Sequence, residues 1–301
     1  MLAVDGGTLS IGGIEAGGTH WTCAVGEGDG EVERAESFPT TTPAATLGRA
    51  IEFFAAVPDL EAVGVGAFGP VEVNRASPRW GTITTTPKPG WRDTDVVTPL
   101  AAALGVPIAL DTDVNAAAVG EWTHGAAQGL DTFVYVTVGT GIGGGVFANG
   151  RPVHGLLHPE VGHMLIPHDR ERDPFPGSCP FHRDCLEGLA SGTAMRWRWG
   201  RPGEELTDPE VWELEAEYLA LGLANVVLVL AAERIVLGGG VGSAPGLLPR
   251  VRSRLLDILA GYVDSPSLSA SGIDDYLVAP GLGPRSGVVG AIELGRVRGG
   301  G

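Results

Sequence analysis

The chain has 301 residues, 44% of them hydrophobic, and a formal net charge of -16. That length and apolar content support a large core divided between two lobes, and the charge excludes nonspecific nucleic-acid binding and docking on anionic lipid, both of which need basic patches. No run reaches the roughly 18 apolar residues of a membrane helix, and the start lacks the basic-then-apolar layout of a secretory signal. The expected compartment is the cytoplasm, and three cysteines, with Cys23 standing apart from the other two, fit a reducing environment better than a disulfide scaffold.

In chain order, Met1 to Ser10 reads as a loose leader. Ile11 to Val25 then predicts a strand, a glycine turn and a returning strand, Ala44 to Val57 a helix, and Ala62 to Phe68 a buried strand. Val106 to Leu110 is a further short strand that runs through Asp111-Thr112-Asp113 into a helix over Val114 to Glu121. Thr132 to Val138 predicts a central strand, and Pro209 to Arg234 a long helix with Glu213, Glu215 and Glu217 set against the positive end of its dipole. Leu247 to Leu259 and Gly287 to Arg296 predict two more helices. The interleaving of strands and helices means an α/β fold, and both halves open with a strand and a glycine turn, as two related lobes would.

Gly139, Gly141 and Gly144 satisfy G-x-G-x-x-G after a predicted strand, with Glu160 near the distance of a ribose-binding acid. The dinucleotide reading also needs a helix at the glycines, but Asn149-Gly150 between apolar runs signals a hairpin and Pro152 opposes a helix. A strand, glycine turn and strand instead presents backbone N–H groups to a phosphate, and Glu15-Ala16-Gly17-Gly18-Thr19 has the same construction. Gly238 to Gly242 ends a strand without bulky side chains, which leaves room for a base or ribose. Lys88 is the only lysine and no Gly-Lys-Ser/Thr occurs, so a P-loop kinase is excluded.

Cys179-Pro-Phe-His182-Arg-Asp-Cys185 is a Cys-x2-His-x2-Cys cluster with His163 sixteen residues upstream. Two thiolates and two imidazoles are the set that tetrahedral Zn²⁺ prefers, and x2 gaps let one loop deliver three of them. His158 and His168 are alternative fourth ligands.

Together these segments resemble the ROK sugar kinases of the actin-like ATPase superfamily, and most closely their fructokinase branch, from about Ile11 to Glu293. The resemblance is carried by Gly13 to Thr19, Phe68 to Val71, Thr86 to Trp91, Asp111 to Ala118, the Gly139 loop, His158 to His163, the Cys/His cluster running through Leu186 to Gly192, and Leu237 to Val241. It implies a two-lobed actin-like, ribonuclease H-like fold with an interdomain active-site cleft and a zinc loop. The N-terminal lobe would take residues 1–118 with the closing helix 287–301 packed back on it, and the C-terminal lobe residues 119–286. The implied reaction is phosphoryl transfer from Mg·ATP to a hexose, with fructose preferred because Thr112 and the Cys-x2-His-x2-Cys spacing differ from the glucokinase pattern.

In that resemblance Asp113 is the general base, at the start of a helix whose dipole favours an ionised carboxylate; an aspartate there can equally serve as an N-cap. Gly69, Glu160, His163 and Glu187 would contact the sugar, and Gly17, Gly18, Thr19, Thr140, Gly141, Thr193, Gly238, Gly239, Gly240, Val241 and Gly242 the nucleotide. His163, Cys179, His182 and Cys185 would hold structural zinc, with the second ring nitrogen of His163 facing the sugar. Asp111 reads as structural. His20 replaces the lysine the family usually carries after Gly-Gly-Thr. A homodimer is implied. Other hexoses are the near alternative, and a sugar-sensing repressor or a zinc-stapled binding module the distant ones. The repressor is disfavoured by the charge and by the ten or so residues ahead of Ile11.

Overall fold

A computed structural model describes residues 10–299; the leader read over Met1 to Ser10 lies outside them, except for Ser10. The chain forms two compact units, the first running to Gly125 with Gly155–His158 and the chain from Arg285, the second comprising Ala126–His154 and Pro159–Pro284.

The first unit contains β1 (Ser10–Ala16), β2 (His20–Gly26), β3 (Arg34–Pro39), α1 (Pro43–Ala55), β4 (Leu60–Ala67), the short pair β5 (Thr82–Ile83) and β6 (Thr94–Asp95), α2 (Val97–Leu104), β7 (Ile108–Thr112) and α3 (Asp113–His124). In the second unit come β8 (Phe133–Val138), β9 (Ile142–Ala148), β10 (Arg151–Pro152), α4 (Leu186–Ala190), α5 (Gly192–Trp199), α6 (Pro209–Leu230), β11 (Arg234–Gly238), α7 (Leu247–Leu259), α8 (Ile273–Tyr276) and β12 (Leu277–Val278). The chain then returns to the first unit with α9 (Ser286–Gly299).

The two sheets have the same connectivity. Their orders are β3-β2-β1-β4-β7 and β10-β9-β8-β11-β12, each an antiparallel meander of three strands followed by two parallel ones. This is the ribonuclease H-like sheet, once per unit. The first unit's core gathers Ile14, Trp21, Phe38, Phe54 and Trp91; the second packs Val134, Val136, Leu186, Leu223, Leu237 and Leu255. No described helix is long and apolar enough to cross a membrane.

Local chemistry accounts for several boundaries. Thr42 caps α1, accepting from the Ala45 N–H, and Pro43 takes the first helical position. Asn149 and Gly150 turn the β9–β10 hairpin with φ of 55° and 70°, so the G-x-G-x-x-G segment opens a strand and not a helix. The long helix α6 ends at Leu230, with Ala231 left-handed at φ 48°, and Arg234 already begins β11. Its first turn holds only Glu210 as an acid, so Glu213, Glu215 and Glu217 stand too far along to meet the dipole's positive end, and Glu215 is buried.

Helices α3 and α9 approach each other and the sheet main chain to main chain. A Cβ at Gly290 would lie 1.7 Å from the Ala116 carbonyl oxygen, and one at Gly64 1.9 Å from that of Ala291. Gly287 packs on the carboxyl of Glu15 in β1, and burial pushes that carboxyl from 4.5 up to about 7.

Gly290→Ala should destabilise the protein by about 1–3 kcal/mol or more, because a backbone contact cannot give way. Gly48→Ala, in α1 with nothing within 4 Å of the added methyl, should stabilise it by about 0.5–1 kcal/mol, both read as shifts in the urea midpoint. For Glu15 the folded state keeps its proton to higher pH than the unfolded chain, so stability falls as pH rises from 4.5 to about 7 and changes no further above. Glu15→Gln should match wild type near pH 4 and exceed it by about 3 kcal/mol at pH 8; a pH-independent difference would contradict this account.

Candidate active site and metal centre

In the first unit, the turn between β1 and β2 is closed by Gly17 N–H donating to the His20 carbonyl at 3.0 Å. Thr40 braces it from outside, its hydroxyl on the Gly17 carbonyl at 2.7 Å and its N–H on that of Thr19 at 2.8 Å. Gly18 is half-buried and Thr19 exposed, so the turn faces outward.

Asp113 opens α3, but it is not the cap. Thr112 Oγ1 accepts the Asn115 N–H at 3.1 Å and takes that role, while Asp113 stands half-buried in the first turn with its carboxylate on the Val114 N–H at 2.8 Å. Asp111 is buried and holds the β7–α3 junction, accepting from the Thr112 N–H at 2.8 Å and the Asn115 side-chain amide at 2.7 Å. Gly69 lies against the His158 ring, whose Nε2 accepts the Val71 N–H at 3.4 Å. His158 therefore supports the Gly69-Pro70-Val71 segment and is not a fourth metal ligand.

In the second unit, the glycine loop links β8 to β9. Glu187 of α4 accepts the Ile142 N–H at 3.0 Å, and a Cβ at Gly141 would stand 2.5 Å from the same carboxylate oxygen. The loop's carbonyls are taken by the start of α5: Gly192 N–H donates to Gly139 at 2.7 Å, and the Thr193 hydroxyl to Thr140 at 2.8 Å. Beside it, Gly239 at φ 85° turns the chain sharply after β11, and the N–H groups of Val241 and Gly242 reach the Val138 carbonyl at 2.9 and 3.2 Å. Thr140, Gly141, Thr193 and Gly238–Gly242 thus meet at the carboxyl ends of parallel strands β8 and β11, where open α/β sheets bind ligands.

The four sulfur and imidazole ligands come together as expected. His163, Cys179, His182 and Cys185 each offer an atom within 4.8 Å of the others. Cys179 Sγ lies 3.7 Å from His163 Nδ1 and 3.8 Å from His182 Nδ1, and Cys185 Sγ lies 3.6 Å from His163 Nδ1. Zinc–sulfur and zinc–nitrogen bonds of about 2.3 and 2.05 Å at tetrahedral angles require S···N edges of about 3.6 Å, so the residues fit zinc. The turn is shaped by Arg183 at φ 60° and by paired bonds between the Cys179 and Arg183 backbones at 3.1 and 3.0 Å. Burial, with Cys179 beside it, pushes the Cys185 thiol up to about 12, so a cation is what makes it a thiolate ligand. His168 is excluded from the set, since its ring nitrogens are engaged by Asp184 and the Asp173 carbonyl.

Glu160, whose carbonyl receives the His163 N–H at 2.9 Å, is pushed up to about 7 by burial and then by the Glu187 carboxylate. Glu160 and Glu187 are therefore neighbouring carboxylates, the first joined to His163 through the backbone. With Nδ1 turned to the cysteines, His163 has Nε2 for another partner. Asp173 and Arg198 escaped the sequence entirely, while His168 and Glu215 were read there in other roles, as an alternative metal ligand and as an acid at a helix start; the available signal was Glu215 on the same helix face as apolar Val211, Leu214 and Tyr218.

The ROK family profile matches residues 11–297. The chain is 46% identical over 291 residues to a fructokinase of Zymomonas mobilis subsp. mobilis, covering 93% of this chain and 94% of that one. It is 40% identical over 287 residues to a fructokinase of Pediococcus pentosaceus, covering 95% and 97%. Among solved structures, a ROK hexokinase from Thermus thermophilus superposes with a TM-score of 0.74 at 28% identity, over 96% of this chain and 99% of that one. With this profile match across nearly its whole length, the chain belongs to the ROK family.

Proposed function

We propose that this chain is a fructokinase that transfers the γ-phosphoryl group of Mg·ATP to the 6-hydroxyl of D-fructose. The observation that carries the reading is its identity of 46% and 40% to two fructokinases over at least 93% of every chain compared. The first unit carries Asp113, the Gly17–Thr19 turn and Gly69, and the second carries the zinc loop, Glu160, Glu187 and the remaining proposed nucleotide contacts. A homodimer is what the family resemblance implies, and the cytoplasm, without nucleic-acid or membrane partners, is the setting expected from the charge and the sequence layout.

Asp113 takes the proton of the sugar hydroxyl as its oxygen attacks the γ-phosphorus. The first turn of α3 favours the charged carboxylate, and Thr112 leaves it free of capping duty. The phosphorus–oxygen bond to the β-phosphate breaks and ADP departs. Backbone N–H groups of Gly18, Thr19, Thr140 and Gly141 spread the charge of the phosphates, Gly17 shapes the first turn through its own N–H on the His20 carbonyl, and Gly238–Gly242, with Thr193, line the nucleotide. Mg²⁺, when bound with ATP, neutralises charge on the transferring group. Glu160, Glu187 and the Gly69 segment orient the sugar. His163, committed through Nδ1 to the zinc set, carries its remaining proton on Nε2 and donates it to a hydroxyl.

Coupled ADP release with Mg·ATP should show turnover with fructose well above glucose, mannose and N-acetylglucosamine, and loss of that turnover after zinc chelation. Dominance of another sugar would overturn the fructose assignment, and silence with all four would overturn the kinase reading. Asp113→Asn should lower kcat by about a hundredfold or more with KM for fructose changed only a few-fold. Near-normal turnover in that variant would remove Asp113 as the base.

A further inference from the structure

Behind the zinc loop runs a chain of buried polar side chains that neither the metal nor the proposed chemistry uses directly. Arg198, near the end of α5, has a side chain only 5% exposed. Its Nη2 stands 3.1 Å from Asp173 Oδ2, its Nη1 donates to the Leu189 carbonyl of α4 at 2.9 Å, and its guanidinium lies over the Phe175 ring at 4.5 Å. Asp173, equally buried, accepts the Tyr218 hydroxyl of α6 at 2.7 Å. His168 continues the chain: Nε2 faces the Asp173 carbonyl at 2.9 Å, and Nδ1 the Asp184 carboxylate at 3.0 Å. Asp184 lies between ligands His182 and Cys185, and its N–H donates to the His182 carbonyl at 2.8 Å. Arg170 holds the same carboxylate from the solvent side.

Such a network is costly to bury and is poorly explained as a source of stability, because apolar side chains of equal volume pack these positions as well or better. The cost is visible here. Glu215 is fully buried and its Oε1 lacks a hydrogen-bond partner, as do Arg198 Nε and Nη2, the latter meeting Asp173 as an ion pair only, and burial pushes the Glu215 carboxyl well above its ordinary range despite Arg198. What the network does supply is direction. The links through Asp173, His168 and Asp184 fix loop segments outside the helices and strands, and the last of them holds Asp184, between two metal ligands.

We propose that Arg198, Asp173 and His168 are positioning residues that hold the zinc loop in its ligating shape. Helix α5 makes the brace continuous with the glycine loop: Gly192 and Thr193 of its first turn bond the Gly139 and Thr140 carbonyls, while Arg198 of its last turn anchors the brace. One eight-residue helix therefore ties the metal loop to the loop proposed to hold phosphate. Partners lying behind metal ligands affect metal retention by about 10–100-fold when removed.

The inference rests on the zinc reading of the Cys/His cluster and is independent of which sugar is phosphorylated. The test is the rate at which zinc-loaded full-length protein releases zinc to a metallochromic chelator. Arg198→Met and His168→Leu should each release zinc about tenfold faster or more, with Arg198→Lys restoring most of the difference. Leu255→Ala, a core truncation in α7 of the same unit, should lower the unfolding midpoint yet leave the release rate within about twofold, which separates positioning from general loss of stability. If Arg198→Met does not fold, His168→Leu decides alone. Release within about twofold of wild type in His168→Leu, or acceleration in Leu255→Ala equal to that in the network variants, would overturn the inference. Wild-type protein that retains no zinc would overturn the zinc reading itself, and this inference with it.

Discussion

The contact between the backbones of α3 and α9 constrains the first unit more than any side-chain interaction. Where Gly290 meets the Ala116 carbonyl and Gly120 approaches Ser286, no side chain fits between the helices, so their separation is set by main-chain atoms alone. Side chains repack when neighbours change; two peptide planes in contact do not. Because β7 runs straight into α3, that fixed seat also fixes the end of the helix where Asp113 stands. Asp111 and Asn115 close the junction from within, and Thr112 caps it, so the aspartate proposed as base is located by a rigid scaffold without serving as the helix cap.

The second unit achieves rigidity by another route. Between β10 and α4 the described chain has only a single 3₁₀ turn of regular structure, at Val161–His163, and such a stretch has few backbone bonds to hold it. The Cys/His cluster replaces that missing ladder with a cross-link among residues far apart in sequence. The free energy of binding a metal there is folding energy for the loop. Glu187 shows how this reaches the glycine loop: it follows Cys185 by two residues and its carboxylate accepts the Ile142 N–H, so one side chain of α4 joins the metal loop to the phosphate-type turn.

Much of this was legible because it depends on local chemistry. The Asn149-Gly150 hairpin could be read against the G-x-G-x-x-G pattern, since φ above zero at two successive residues demands that dipeptide. The two glycine turns and the Cys-x2-His-x2-Cys spacing likewise declare themselves within a few residues. What escaped depends on partners distant in sequence. Strand β3 is polar, with Phe38 its one buried side chain, and forms because β2 offers it an edge. Glu215 looked like an acid for a helix start and is instead enclosed beside Arg198. The end of α6 lacks the expected glycine, Ala231 adopting the left-handed conformation in its place. His168 was a plausible ligand by spacing alone, and only the arrangement of Asp184 and Asp173 assigns it elsewhere.

The return of α9 to the first unit also sets an order of assembly during synthesis. Strands β1 and β4 and helix α3 leave the ribosome long before the helix that covers them, so their glycine-lined face stays bare while all of the second unit is being made. The second unit is nearly one continuous stretch and has its own sheet and core, so it can close first. At elongation rates of about 5–20 residues per second, the interval from α3 to α9 lasts on the order of ten seconds. For that time the nascent first unit keeps open the seat that α9 later fills.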